Sequence, residues 1–286
     1  LVGGSADVAG SVYTKIDGGK YFTPEDRSGR SINFGIREFA MAAIQNGMLL
    51  HGGLRTYVGC FLVFADYMKP AIRMAALSHL PAIYIFSHDS IAVGEDGPTH
   101  QPIEQLAMLR SIPNVEVYRP CDANEVGTAY KMMLSQNNHP CCIILTRQAL
   151  PVLAGTTSLD VEKGGYVVSK EIGEKPALTI IASGSEVSLA CEAQQKLINE
   201  GIDVRVVSMM CQERFLHQDP VYIKETLGVE YSKRIAVEML TSFGWHKFAP
   251  HVMSIDEFGV SAPASDAIKH FNFTSDELVR RIKEIL

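Results

Sequence analysis

The sequence predicts an α/β protein of two domains with mostly parallel sheets. Three observations predict it. Apolar runs of strand length alternate with segments of helical period along the chain. The alternation stops at Leu150-Pro151 and restarts beyond a stretch rich in Gly, Thr and Ser (Ala154–Asp160). At 286 residues, 47% hydrophobic and 20% charged, the chain is long and apolar enough for two cores. The expected division is 1–150 for the first domain, 151–163 for a linker and 164–286 for the second domain.

The elements follow in order. Gly3-Gly4-Ser5-Ala6-Asp7 succeeds an apolar start and runs on to Ser11. A glycine-rich turn after a strand presents backbone N–H groups to an anion, although this one lacks the lysine and spacing of a P-loop. Phe34-Gly-Ile-Arg-Glu38 then opens an apolar helix over Phe39–Leu50. Glu38 falls in its first turn. It reads either as a helix-start acid stabilised by the dipole, or as a partly buried carboxyl that shares its proton with a ligand. Phe61, Phe64 and Tyr67 recur every third residue, as core packing does, or as an aromatic box for a flat heterocycle does.

Pro81–Phe86 reads as a strand, and the loop after it, HDSIAVGEDGPTHQP over 88–102, has no period at all. It brings His88, Asp89, Glu95, Asp96 and His100 to the carboxyl end of a strand, where open α/β sheets hold ligands. Its spacing matches no zinc pattern, so no metal site is expected within this chain, and polar groups arranged for sugar hydroxyls fit better. Val115–Tyr118 is the next strand. Asp122–Ser135 is a helix with Asp122 and Glu125 at capping-box spacing. Cys141–Thr146 is a strand that ends in Arg147, which suits either a surface ion pair or a phosphate.

In the second domain Ala177–Ala182 is a strand. Ala182-Ser-Gly-Ser-Glu-Val187 then has the form of a helix-start anion site, although helix capping explains it equally. Glu186–Glu200 is a helix closed by Gly201. Val204–Met209, Ile235–Met239 and His251–Ile255 are strands. The last helix starts at Thr274 with Glu277 as capping partner, and Leu278, Ile282, Ile285 and Leu286 are expected on its apolar face.

Composition excludes several classes. The formal charge is −6, with 26 Lys+Arg against 32 Asp+Glu and no basic cluster, which argues against nucleic acid or an anionic membrane as partner. Six cysteines without a CxxC pair suit free thiols in a reducing, cytoplasmic compartment. No run is long enough for a membrane span, and no signal-peptide pattern opens the chain. The start at Leu1, already inside an apolar run, suggests part of something longer.

Taken together, GGSAD (3–7), GIREFAM (35–41), FLVFADY (61–67), HDSIAVGEDGPTHQP (88–102), PNVEVYRPCDANE (113–125) and TRQALP (146–151) resemble transketolase, in that family's order. Glu257-Phe-Gly-Val-Ser-Ala-Pro263 resembles its C-terminal domain. Related thiamine enzymes such as deoxyxylulose-phosphate synthase share the acid, the fold and only a looser GxDGxTH core. The resemblance implies two three-layer α/β/α domains, a pyrimidine-binding fold followed by the transketolase C-terminal fold. It implies thiamine-diphosphate-dependent transfer of a two-carbon ketol unit from a ketose phosphate to an aldose phosphate, in the pentose phosphate pathway. Glu38 matches the glutamate that hydrogen-bonds the aminopyrimidine and lets the cofactor act as its own base. Phe61, Phe64 and Tyr67 match the pocket around that ring, and Asp7 lies on the cofactor's side. Asp96 matches a contact to a sugar hydroxyl. His100 is assigned to substrate oxygens and phosphate, His88 to sugar hydroxyls or proton transfer, and both with Glu38 to catalysis. Ser11 and Arg147 match phosphate-binding positions.

Two departures stand out. Phe39 replaces the family's usual histidine, which implies changed packing behind the glutamate. No GDG…N motif occurs, so magnesium (or calcium) and the diphosphate are expected on an N-terminal domain that this chain lacks. The family's site forms between subunits, which implies a homodimer and an isolated chain that is inactive. The alternatives are one subunit of a split transketolase or related thiamine enzyme, and a non-catalytic pair of assembly or regulatory domains.

Overall fold

Apolar runs that sit between two layers of helices need no polar alternation, and the strands of the first sheet are of this kind. A computed structural model describes residues 1–286. In its first part, β1 (Val2–Ser5), β2 (Ser31–Asn33), α1 (Glu38–His51), β3 (Thr56–Phe61), α2 (Ala65–Leu77), β4 (Ile83–Ser87), α3 (Gln105–Arg110), β5 (Glu116–Tyr118), α4 (Ala123–Ser135) and β6 (Cys141–Ile144) follow one another. The six strands pair in the order β2-β1-β3-β4-β6-β5, every pair parallel. β3, β4 and β6 are buried at every position.

The second part holds β7 (Tyr166–Ser169), β8 (Leu178–Ala182), α5 (Glu186–Asn199), β9 (Val204–Ser208), α6 (Gln212–Leu216), α7 (Pro220–Leu227), β10 (Arg234–Val237), β11 (His251–Met253), α8 (Ala264–His270) and α9 (Ser275–Ile285). Its sheet runs β11-β10-β8-β9-β7, parallel except for the antiparallel edge strand β7. The molecule is thus an α/β fold of two mostly parallel sheets with flanking helices. An apolar cluster joins them: Tyr57, Ile83 and Tyr118 of the first sheet share it with Ile180, Val206 and Val237 of the second.

Several local expectations change. β7 went unread because it alternates between buried and half-buried positions over only four residues. Phe61, Phe64 and Tyr67 do not share a helix. The chain turns there from β3 through a 3-10 segment, Leu62–Phe64, into α2. On α9 the buried apolar residues are Leu278, Val279 and Ile282, whereas the terminal Leu286 is exposed.

Both capping boxes are half made. The Asp122 carboxylate accepts from Glu125 N at 3.0 Å, but Glu125 turns to Cys121 N and to the hydroxyls of Tyr166 and Ser208 in the second sheet. Thr274 accepts from Glu277 N at 3.2 Å, while Glu277 takes Arg280 and Arg281. All six cysteines are free, and no helix is long and apolar enough to cross a membrane.

Candidate active site

Every residue singled out in the first part follows the carboxyl end of a strand in the first sheet. Asp7 and Ser11 follow β1, Glu38 follows β2, Phe61 ends β3, His88, Asp96 and His100 follow β4, and Arg147 follows β6. Strand order converts this into a line along one edge. From β2 to β6 is four spacings, or about 19 Å. The chain leaves β1 toward one side of the sheet and continues through β3 on the other, so the crevice between these strands is the switch point at which such sheets take ligands.

The aromatic residues form an open ladder. Phe61 and Phe64 lie 6.1 Å apart at 16°, Phe64 and Tyr67 6.1 Å apart at 26°. Burial falls along it from Phe61, at 9% exposure, to Tyr67, at 61%. A core stripe would be buried throughout, so these rings present a surface. Both histidines meet the ladder. His88 stacks on Phe61 at 3.9 Å, and His100 stands edge-on to Phe64 at 5.4 Å. Ser87 Oγ lies 2.8 Å from His88 Nδ1, and Thr99 Oγ1 2.9 Å from His100 Nδ1. Burial and then the Arg147 cation pull the His88 pKa below its ordinary value, against Asp96 and Asp89. A buried imidazole here is therefore neutral near pH 7.

Glu38 is half-buried at the start of α1, and burial together with its charge pushes the neighbouring Cys60 thiol up to about 12. Asp7, Ser11, Asp96 and Arg147 are exposed. None of these five side chains makes a hydrogen bond or ion pair within the chain, which leaves their polar ends free. The structure thus brings the aromatic rings and both histidines into contact. It places Glu38, Asp7, Asp96, Ser11 and Arg147 along the same edge without joining them to one another. Phe39 is 53% exposed. The same helix, α1, contributes Ile44 and Met48 to an apolar cleft of about 470 Å³ that Ile32, Phe34 and Leu54 also line.

Sequence reasoning missed the support behind the loop. The Gln101 amide donates to Gly94 O at 2.8 Å and to Val260 O at 2.9 Å, and the Ser261 hydroxyl donates to Glu95 O at 2.6 Å. Gly97 has φ +73°, and a Cβ there would meet Ser261 Cβ at 3.0 Å. The second domain therefore backs the loop, a relation that no local pattern encodes.

It also missed Arg119, which is fully buried between the two sheets. Its Nε donates to Asp89 Oδ2 at 2.9 Å, its Nη1 to Ser183 O at 2.9 Å, and the same fork binds Glu186. Burial opposes this cation, but Glu186, Asp89 and Glu238 outweigh it and raise its pKa. The loop over 182–187, whose form suited either an anion site or a helix cap, thus holds a guanidinium. Arg110 pairs with Glu238 through two bonds of 2.8 and 3.0 Å.

One mixed donor group, Glu116, His139 and Cys141, lies at the opposite end of β5 and β6. It is engaged: Tyr118 and Arg214 bond Glu116, and Gln136 donates to Cys141 Sγ at 3.2 Å.

The family model "Transketolase, pyrimidine binding domain" matches residues 1–152, and "Transketolase-like TK C-terminal domain" matches 164–274. Transketolase of Bacillus subtilis (strain 168) is 51% identical over 292 residues, covering 100% of this chain and 44% of its own length. The solved transketolase of Leishmania mexicana superposes with a TM-score of 0.95 at 42% identity, over 100% of this chain and 42% of that one. A split-gene transketolase, described as an inactive β4 tetramer, superposes at 0.76 and 22% identity over 100% of this chain and 92% of its own, a likeness of fold. The chain spans less than half the length of the curated relatives it matches.

Proposed function

Because the chain belongs to the transketolase family, we propose that it supplies the pyrimidine-binding and sugar-recognition half of a thiamine-diphosphate-dependent transketolase. The family implies that cofactor. The observation that carries the reading is a set of charged groups without partners, Glu38, Asp7, Asp96 and Arg147, on one sheet edge beside an open aromatic ladder.

The residues fit the cofactor. Phe61, Phe64 and Tyr67 would hold its flat ring by stacking, and Glu38 would hold the aminopyrimidine by a hydrogen bond. Bound there, thiamine diphosphate supplies the carbon nucleophile that breaks and re-forms the bond beside the ketose carbonyl. Asp7 serves the cofactor's side. His88, held neutral, offers one nitrogen to a sugar hydroxyl, and a proton accepted there makes the ring cationic until it is given back. His100 binds substrate oxygens, Asp96 accepts from a hydroxyl, and Ser11 with Arg147 takes the phosphate at the far end, Arg147 as a planar two-pronged donor.

Magnesium or calcium belongs, in this reading, to a diphosphate-binding segment, whether carried by the same polypeptide or by a separate one. That segment, with a second copy in a homodimer, covers the apolar face around Ile36, Phe39 and Ile44. The division into 1–150, a linker over 151–163 and 164–286, a cytoplasmic location and a place in the pentose phosphate pathway complete the proposal.

The test is reconstitution. The purified chain is expected to be inactive alone and to transfer a ketol unit once combined with a diphosphate-binding half. Glu38→Ala is expected to abolish transfer with the fold intact by circular dichroism. Robust activity of the chain alone, or of the Glu38→Ala complex, would refute the reading.

A further inference from the structure

We propose that Asp89 is a positioning residue: tied through Arg119 to the second domain, it holds the His88 ring against Phe61 in the cleft. The role is defined by the function proposed above and rests on it. His88 has φ +61°, in the left-handed region that most non-glycine residues avoid, although histidine enters it more readily than most. The next residue, Asp89, is fully buried, and its Oδ2 lies 2.9 Å from both Nε and Nη2 of Arg119.

Arg119 is itself fixed on every side. Its N–H donates to Met210 O at 2.8 Å, and its carbonyl accepts from Gly184 N at 3.0 Å. Gly184 has φ +57°, and a Cβ there would stand 2.7 Å from the Arg119 Cζ, so the loop after β8 is shaped to the guanidinium. Chain order makes the gap between β8 and β10 the switch point of the second sheet, the crevice in which such a sheet would take a ligand. Ser183 follows β8 and Glu238 follows β10; the first accepts from Arg119, and the second lies 3.7 Å from it. The second domain therefore binds an arginine of the first domain where a ligand would sit. The planar fork fixes the Asp89 carboxylate, and with it the backbone that carries His88.

Asp89→Asn is the variant closest in shape. It removes one charge from the buried set in which Arg119 and Arg110 face Asp89, Glu186, Glu238 and Glu213, so it is expected to melt lower than the parent yet remain folded by circular dichroism, while the grip on the His88 backbone loosens.

Two arms test the idea. In the chain alone, the His88 ring protons carry an upfield ring-current shift from Phe61, read by NMR of histidine-labelled protein. Asp89→Asn is expected to move them toward the values of a free histidine, and Arg119→Lys, which keeps the charge and loses the fork, to do the same. In the complex with the diphosphate-binding half, Asp89→Asn is expected to lower kcat/KM for the ketose phosphate about tenfold or more, with thiamine diphosphate affinity within about twofold of the parent. Unchanged His88 shifts overturn the proposal. So does unchanged kcat/KM in an active complex, or loss of fold, cofactor affinity and activity together in both variants. If the parent complex itself shows no ketol transfer, the functional reading fails, while the NMR arm still decides whether Asp89 positions His88.

Discussion

At the scale of single residues, exposure separates the two readings of the aromatic triplet. Phe61 is buried at the end of β3, and Phe61→Ala should cost about 3 kcal/mol of stability through the cavity it leaves. Tyr67 is exposed, and Tyr67→Ala should change stability by no more than about 0.5 kcal/mol. If the ladder holds a cofactor ring, Tyr67→Ala should nonetheless weaken thiamine diphosphate binding by about five- to tenfold in the reconstituted complex. Urea unfolding beside cofactor titration checks both, and equal affinity for parent and variant would return Tyr67 to the surface. These candidates were legible because their residue types sit at strand ends, and strand ends can be read from apolar runs. Asp89 and Arg119 were not, since an acid in a polar loop and an arginine after a strand look like solvent-facing groups until their partners 30 and 67 residues away are known.

At the scale of elements, Asp122 shows how a cap becomes a joint. Its Oδ1 caps α4, while Oδ2 accepts from Leu153 N at 2.9 Å and from the Thr156 hydroxyl at 2.6 Å, tying the helix to the segment that leads into the second sheet. A cap alone is worth about 1 kcal/mol, and the Leu153 N–H left without a partner should bring the loss for Asp122→Ala to about 2–3 kcal/mol, the Thr156 hydroxyl keeping Leu153 O at 2.7 Å. Chemical denaturation checks this, and a loss below about 1 kcal/mol would reduce Asp122 to an ordinary cap. The spacing of Asp122 and Glu125 marked this helix start correctly. It did not reveal that Glu125 reaches across to Tyr166 and Ser208, because spacing constrains only neighbours within a turn or two.

At the scale of the whole molecule, the two sheets share a core and a set of buried charges. Arg110 holds the buried Glu238, to which the sole tryptophan, Trp245, also donates at 2.7 Å. Burial raises the pKa of Glu238, but Arg110 and Arg119 outweigh it and hold this carboxyl below its usual range. Arg110→Ala should then cost about 3–5 kcal/mol, the penalty for breaking a buried pair. The loss should appear as one transition, with Trp245 fluorescence and far-UV circular dichroism superimposed. Separate transitions would mean that the sheets are independent.

Local pattern along the chain is enough for the α/β class, the family and the strand-end positions of the candidate residues. Apolar runs, turn residues and motifs are local and survive reading in one dimension. That the second domain supports the loop over 88–102, and that an arginine fills the second sheet's crevice, is visible only in the folded molecule. Those facts depend on bonds between residues far apart in the chain, and a buried charge is stable only when folding brings its partners to it.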